Sequence, residues 1–146
     1  MTIPDICSEC QIELTPEIRV DIEEFKDLCY LCYKKKPKHV CVDFDGVLAE
    51  YTGWKGPENL GAPREGVAEF LQAINDLGMK VIILTTRAPL MVKVWLDDLG
   101  IDHLVDRVTR EKPSALVYVD ERGFTFNGDF QETLEAIKHF IPYWRR

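Results

Sequence analysis

Polar and charged side chains follow three apolar segments of the chain that we predict to be strands. The first segment ends in Asp43 and Asp45, and the later segments end in Thr85-Thr86-Arg87 and Asp120-Glu121-Arg122. A further cation, Lys112, precedes the last of these strands. Because ligands of open parallel sheets bind beyond the carboxyl ends of the strands, acidic, hydroxyl and cationic groups converge on one edge. A domain with only a structural role would not need that collection.

After residue 38 the apolar pattern alternates between strands and helices. Strands are predicted at His39–Phe44, Lys80–Leu84, Val105–Val108 and Ala115–Val119, with an additional edge strand at Phe124–Phe126. Helices are predicted at Gly66–Leu77, Pro89–Leu99 and Gln131–Ile141. In the second helix the residues expected to face the core are Leu90, Met91, Val94 and Trp95. This order predicts an α/β fold, a parallel sheet with helices on both faces.

Four of the five cysteines form two Cys-x-x-Cys pairs near the N-terminus, namely Cys7, Cys10, Cys29 and Cys32. Residues 11–28 separate the pairs, a spacing expected of a four-cysteine zinc site. A two-residue gap lets both sulfurs of a pair point at one tetrahedral ion. The segment has too few apolar residues for a core of its own, so it needs such a staple. We predict a structural Zn²⁺ site; the alternatives are free thiols at accidental spacing and a redox dithiol.

The residues around the cysteines define the first of two predicted domains. Alternating apolar residues indicate a hairpin, with strands at Gln11–Leu14 and Ile18–Ile22, and a helical turn is expected near Cys29. This arrangement resembles the zinc-ribbon and treble-clef families of small zinc modules. Pro37 marks the boundary, so the domains are residues 1–37 and 38–146. Partner docking, dimer formation and simple stabilisation all remain open as roles of the zinc module.

Four stretches of the second domain resemble the motifs of the haloacid-dehalogenase-like (HAD) superfamily. Val40–Leu48, an apolar strand followed by Asp-Phe-Asp-Gly-Val, resembles the first motif, and Val81–Thr85 resembles the second. Lys112 matches the third motif and Val117–Glu121 the fourth. The order and spacing agree throughout residues 38–141. The resemblance implies a Rossmann-like core and a member of this phosphatase superfamily.

The resemblance also implies a reaction, the magnesium-dependent hydrolysis of a phosphomonoester through an aspartyl-phosphate. Asp43 would attack phosphorus, and Asp45 would act as general acid and then as general base. Catalytic Mg²⁺ would be held by the Asp43 carboxylate, the Asp45 backbone carbonyl and Asp120. Lys112 would neutralise the nucleophile and the transferring group, and Thr85 would hydrogen-bond a phosphate oxygen.

Neighbouring side chains have roles that the sequence leaves open. Thr86 competes with Thr85 for the phosphate, after a shift of one residue. Arg87 and Arg122 either bind substrate or form surface ion pairs. Glu121 stands where the fourth motif often has a second aspartate, and it either supports the metal from outside its ligand set or faces solvent.

Many members of the superfamily carry a cap domain, and this chain resembles those that lack one. The two places where caps are inserted correspond here to residues 49–65 and 102–111, which are too short for a domain. An open site suits a bulky substrate. Alternatively, a neighbouring subunit or the zinc module completes the site. Trp54, in the loop 51–57, either stacks on the substrate or packs on its own domain.

Charge and composition limit the partners. The net charge of −7 gives no overall basic surface for nucleic acid. The basic cluster of Lys34, Lys35, Lys36 and Lys38 indicates a solvated helix end, with a local phosphate contact as the alternative. No apolar run approaches the roughly 20 residues of a membrane helix. Because the N-terminus has neither a basic region nor an apolar signal core, we expect a cytoplasmic protein.

Three functions remain as hypotheses from the sequence. The first is a phosphatase whose phosphorylated substrate is a small molecule or a macromolecule. The second is a phosphotransferase or a nucleic-acid-end phosphatase, which the lysine cluster permits and the net charge disfavours. The third is a non-catalytic, zinc-dependent binding module on a phosphatase-like scaffold, with the zinc module available for a protein partner or a homo-oligomer.

Overall fold

A computed structural model of the chain describes residues 6–16, 19 and 28–146. The chain divides into two compact units, Met1–Pro37 and Lys38–Arg146. Within the described ranges, no helix is long and apolar enough to cross a membrane.

The described part of the first unit contains one short helix and two isolated strand bridges. Glu13 forms an antiparallel bridge with Ile6, and Arg19 forms one with Cys29. The helix, α1 (Tyr30–Lys35), begins directly after that cysteine, where a helical turn was expected. The second cysteine pair thus spans the junction between a strand-like segment and a helix.

Only part of the hairpin predicted between the cysteine pairs lies within the described residues. Of its second strand, Ile18–Ile22, only Arg19 belongs to the described residues. In its first strand, Glu13 pairs with Ile6, a bridge that the prediction did not include. The hairpin therefore stays a prediction.

The second unit is built on a four-stranded parallel sheet in the order β3-β2-β1-β4. Its strands are β1 (His39–Asp43), β2 (Lys80–Leu84), β3 (Arg107–Thr109) and β4 (Val117–Val119). In the central strand, Asp43 pairs with Leu84 of β2, and Val42 pairs with Val119 of β4. Because these strands run in parallel and in this register, the residues that follow them meet at one edge of the sheet. The α/β fold class is confirmed.

Three helices alternate with the strands, at α2 (Val67–Asp76), α3 (Pro89–Asp98) and α4 (Phe130–Lys138). The segment Phe124–Phe126, predicted as an edge strand, does not form one. Instead Phe126 packs against Phe130, the first residue of α4, with ring centroids 5.3 Å apart. The Asp129 carboxylate caps that helix by accepting from the backbone N–H groups of Gln131 and Glu132.

The main core lies on one face of the sheet. Val40, Val42, Val81 and Ile83 share that face and pack with residues of both nearby helices, including Leu71, Ile74, Val92 and Leu96. The predicted inward face of α3 was wrong for Leu90, Met91 and Val94, which are exposed, while Val92 and Leu96 are buried. The fourth predicted residue, Trp95, does pack against the core. The helix is apolar nearly all round, so its apolar residues alone do not define which face is inside.

The opposite face of the sheet is covered differently. Cys41 and Ile82 are buried there, but no residue of α4 is buried. Helices on both faces of the sheet therefore stay a prediction.

Helix α2 offers a matched test of this core. Leu71 is fully buried, whereas Leu77, at the end of the same helix, is 72% exposed. We expect Leu71→Ala to lower the free energy of unfolding by about 2–5 kcal/mol, because it leaves a cavity. Leu77→Ala should change it by less than about 0.5 kcal/mol. Urea unfolding followed by circular dichroism measures both, and equal losses would contradict the core described above.

Candidate active site and cysteine cluster

Burial of Phe44 orients the two aspartates of the Asp-Phe-Asp segment. Side chains alternate between the faces of a strand, and both Val42 and Phe44 face the core. The Phe44 ring meets Trp95 of α3 edge-on, with centroids 5.0 Å apart. Asp43 and Asp45 are therefore turned away from this core, at the carboxyl end of β1.

A tight turn follows the second aspartate. The Gly46 amide donates to the Ala49 carbonyl at 2.8 Å, and the amides of Leu48 and Ala49 donate to the Phe44 carbonyl at 3.0 Å. Gly46 has φ +87°, a conformation that other residues rarely adopt. A Cβ at this position would also lie 3.2 Å from the side chain of Glu121, so the glycine permits close packing.

Three carboxylates come together at the edge of the sheet. Asp43, Asp120 and Glu121 each offer an oxygen, and these oxygens lie within 4.8 Å of one another. Burial first, and then a hydrogen bond to Glu121 and the charges of Glu121 and Asp120, together raise the pKa of Asp43 to about 8. Crowding of these acidic groups thus favours the protonated form of Asp43 unless a nearby cation stabilises its charge.

Glu121 belongs to this cluster rather than to the solvent. Its side chain is only 4% exposed. One oxygen, Oε1, accepts from Arg122 Nε at 3.1 Å, but the buried Oε2 has no hydrogen-bond partner within the described part of the chain. A buried, unpartnered carboxylate oxygen beside two further carboxylates fits a hard cation such as Mg²⁺, which prefers oxygen ligands.

The turn Tyr143–Arg145 also lies against this site, which the sequence patterns did not predict. The Tyr143 hydroxyl donates to the Gly46 carbonyl and accepts from Arg64 Nη1 at 2.6 Å. Trp144 Nε1 approaches Glu121 Oε1 at 3.5 Å. Two adjacent aromatic residues, Tyr143 and Trp144, followed by two arginines were the signal that could have indicated this contact.

Asp45 is paired with Arg87. The arginine is only 4% exposed, and its Nε donates to Asp45 Oδ2 at 2.7 Å and to Oδ1 at 3.0 Å. Its Nη1 donates to the Pro57 carbonyl at 3.2 Å, and its Cζ lies 5.0 Å from the centre of the Trp54 ring. The indole remains 60% exposed. Arg87 is thus a buried partner of a motif aspartate, and its contact with the indole holds Trp54 beside the site.

The remaining predicted residues lie around this centre in different ways. Thr85 is buried, and its Oγ1 accepts from the Arg87 amide at 3.1 Å. Thr86, by contrast, is exposed. Lys112 is exposed as well, and its Nζ lies 4.4 Å from the centre of the Tyr118 ring. Of the two threonines, Thr85 is the one joined to the Asp45–Arg87 pair.

The four N-terminal cysteines form a separate cluster in the first unit. Their sulfurs all lie within 4.8 Å of one another, and the sulfurs of Cys10 and Cys29 are 3.6 Å apart. No disulfide joins them. Sulfurs bound tetrahedrally at about 2.3 Å from zinc would be about 3.8 Å apart, so the spacing is compatible with a zinc site.

Local backbone structure supports this cluster. The Cys29 amide donates to Cys7 Sγ at 3.3 Å, and Gln11 adopts φ 62°, which tightens the turn after the first pair. Hydrogen bonds from the backbone of Cys10, then of Cys29 and Glu9, lower the pKa of Cys7 to about 6 against the opposing effect of burial. The neighbouring Cys10 thiol, followed by burial, raises the pKa of Cys32 to about 12. Four sulfurs lie close together, and that of Cys7 favours the ionised thiolate form. Such a group suits a cation that binds soft thiolate ligands.

Fold and side chains together define an α/β protein with a carboxylate cluster at the ends of its parallel strands and a four-cysteine cluster in a separate unit. No protein-family model matches the chain, and no curated protein does. Among solved structures it is similar to the conserved protein coded by locus from Bacteroides thetaiotaomicron. The two share 18% identity over 70% of this chain and 91% of that chain, with a TM-score of 0.47. A similarity at this level defines neither a family nor a function.

The cysteine cluster predicts a specific zinc content. Protein purified without chelator should contain about one zinc per chain, because four sulfurs complete a tetrahedral site. Cys10→Ala or Cys29→Ala should remove most of this zinc, as measured by elemental analysis. Cys41→Ala, which changes a cysteine outside the cluster, is the control and should retain it. Parent protein with far less than one zinc would contradict the site.

Proposed function

We propose that the second unit is a capless, HAD-like phosphatase that hydrolyses a phosphomonoester with the help of magnesium. The observation that carries this proposal is the convergence of the Asp43, Asp120 and Glu121 oxygens within 4.8 Å at the carboxyl edge of the sheet. The Asp-Phe-Asp-Gly segment supplies the second carboxylate that the chemistry needs, on Asp45. Together these groups could bind a metal, attack phosphorus and transfer a proton.

The groups proposed to hold magnesium are the side chains of Asp43, Asp120 and Glu121 and the backbone carbonyl of Asp45. When bound, the ion would neutralise the crowded carboxylates and the phosphate dianion and polarise the phosphoryl oxygens. The raised pKa of Asp43 reflects burial first and then its acidic neighbours, so this carboxylate needs a nearby positive charge to attack as an anion.

In the first step an Asp43 oxygen attacks phosphorus, and the bond from phosphorus to the leaving oxygen breaks. Asp45 gives that oxygen a proton, so the leaving group departs as an alcohol. In the second step water attacks the aspartyl-phosphate and passes a proton to Asp45. The bond from phosphorus to Asp43 then breaks, which releases phosphate and restores both carboxyl groups.

Thr85 and Lys112 have supporting roles in this proposal. The Thr85 oxygen accepts from the Arg87 amide, and a hydroxyl that accepts can still donate its own proton, here to a phosphate oxygen. Lys112 is exposed, and we assign its amine the role of neutralising the incoming phosphate group. Trp54, also exposed, is proposed to contact the leaving group. In the first unit we propose a structural Zn²⁺ held by Cys7, Cys10, Cys29 and Cys32.

Hydrolysis of p-nitrophenyl phosphate tests the reaction. We expect turnover by the parent that requires added magnesium, and Asp43→Asn should lower it at least about a thousandfold because the nucleophile is lost. Asp98→Asn, at an exposed position in α3, is the control and should retain full activity. Turnover that survives in Asp43→Asn would remove the assigned nucleophile. Parent protein inactive on a panel of phosphomonoesters would favour the non-catalytic alternative.

Magnesium binding can be tested without any turnover. Calorimetric titration of the parent with Mg²⁺ should show one site, and Asp120→Asn should weaken it about tenfold or more, because a charged oxygen ligand is replaced by a neutral one. The same Asp98→Asn variant should bind magnesium as the parent does. Equal affinities in parent and Asp120→Asn would separate this carboxylate from the metal site.

A further inference from the structure

We propose that Arg87 is a positioning residue for the second step, in which it holds the Asp45 carboxylate as the acceptor of a proton from water. This inference rests on the phosphatase function proposed above. It assigns a different role to Arg87 from that of a substrate-binding or surface residue, because the guanidinium acts through another side chain.

The contact between the two side chains is buried and closely oriented. The Arg87 side chain is 2% exposed and that of Asp45 is 17% exposed. Its Nε donates to both carboxylate oxygens, at 2.7 and 3.0 Å. Ion pairs at the surface fix little, because solvent screens them and long side chains move. Here burial and a charge-assisted hydrogen bond fix the direction of the carboxylate.

Arg87 is itself fixed from several sides. Its amide donates to Thr85 Oγ1 at 3.1 Å, and its Nη1 lies 3.2 Å from the Pro57 carbonyl and 3.4 Å from that of Gly56. The Trp54 ring covers the guanidinium at 5.0 Å. Because the guanidinium already contacts these protein groups, a role in positioning Asp45 is favoured over direct binding of the substrate.

The proton chemistry of Asp45 indicates that Arg87 acts in the second step. Asp45 acts as a proton donor when the leaving group departs and as a proton acceptor when water attacks. A guanidinium carries only donors, so its partner carboxylate is held in the role of an acceptor. In that step the water oxygen bonds to phosphorus, its proton moves to a free lone pair of Asp45, and the bond from phosphorus to Asp43 breaks.

A kinetic split follows for p-nitrophenyl phosphate, because nitrophenolate leaves without needing a proton. In Arg87→Met the first step continues while the second slows, so kcat should fall about 10- to 100-fold. KM should fall in parallel, and kcat/KM should stay within about twofold of the parent. Rapid mixing should then show a burst of about one nitrophenolate per active site as phosphoenzyme accumulates.

Two further variants connect the effect to Asp45. Arg87→Lys keeps the charge but loses the planar fork, so it should show the same parallel fall of kcat and KM, at smaller size. In an Asp45→Asn background, Arg87→Met should change kcat by less than about twofold, because its target is already gone. Arg110→Met, which changes an exposed arginine, should match the parent in every measurement.

The outcomes separate this inference from the proposed function. A kcat/KM that falls together with kcat at unchanged KM, or losses that multiply in the double variant, would overturn the role of Arg87 and leave the phosphatase intact. A parent without magnesium-dependent turnover would instead overturn the phosphatase. If thermal melting shows that Arg87→Met does not fold, the size and direction of the Arg87→Lys changes decide.

Discussion

The side chain between the two motif aspartates determines where their carboxylates lie. Phe44 is fully buried against Trp95, and this packing turns Asp43 and Asp45 toward the opposite side of β1. The tight turn at Gly46 then ends the strand, and the parallel neighbours bring their own terminal residues to the same edge. An apolar contact in the core thus sets the geometry of a polar site that it never touches. The carboxylate cluster depends on that contact as much as on its own charges.

The two motif aspartates stand in different surroundings, although one residue separates them. Asp43 faces other carboxylates, and burial, followed by these neighbours, raises its pKa to about 8. Asp45 faces a buried arginine. The phosphatase proposed above would need such a division, because pairs of titratable groups in contrasting environments take different roles. Arg87 provides the contrast, and through Trp54 and the Pro57 carbonyl it also holds the loop beside the site.

Much of the fold was predictable because buried strands and amphipathic helices carry local periodicity. Strand β2 was predicted at its observed bounds, Lys80–Leu84. The inward face of α3 was not, since a helix that is apolar nearly all round does not indicate which side meets the sheet. The four cysteines and the cluster of Asp43 with Asp120 followed from spacing and strand order. Contacts between residues distant in sequence, such as Arg87 with Asp45 and Tyr143 with Gly46, depend on tertiary packing and left no local pattern.

The close packing of Gly46 against Glu121 imposes a limit on side-chain size where two segments of the site meet. The glycine leaves only 3.2 Å between the position of a missing methyl group and the glutamate side chain. The first strand and the fourth therefore share one small volume, in which a longer acidic residue on one side is matched by the smallest residue on the other. A larger residue at position 46, or a shorter acidic residue at position 121, would change the distance between this carboxylate and its acidic neighbours. The two positions should therefore vary together in any protein built on this arrangement.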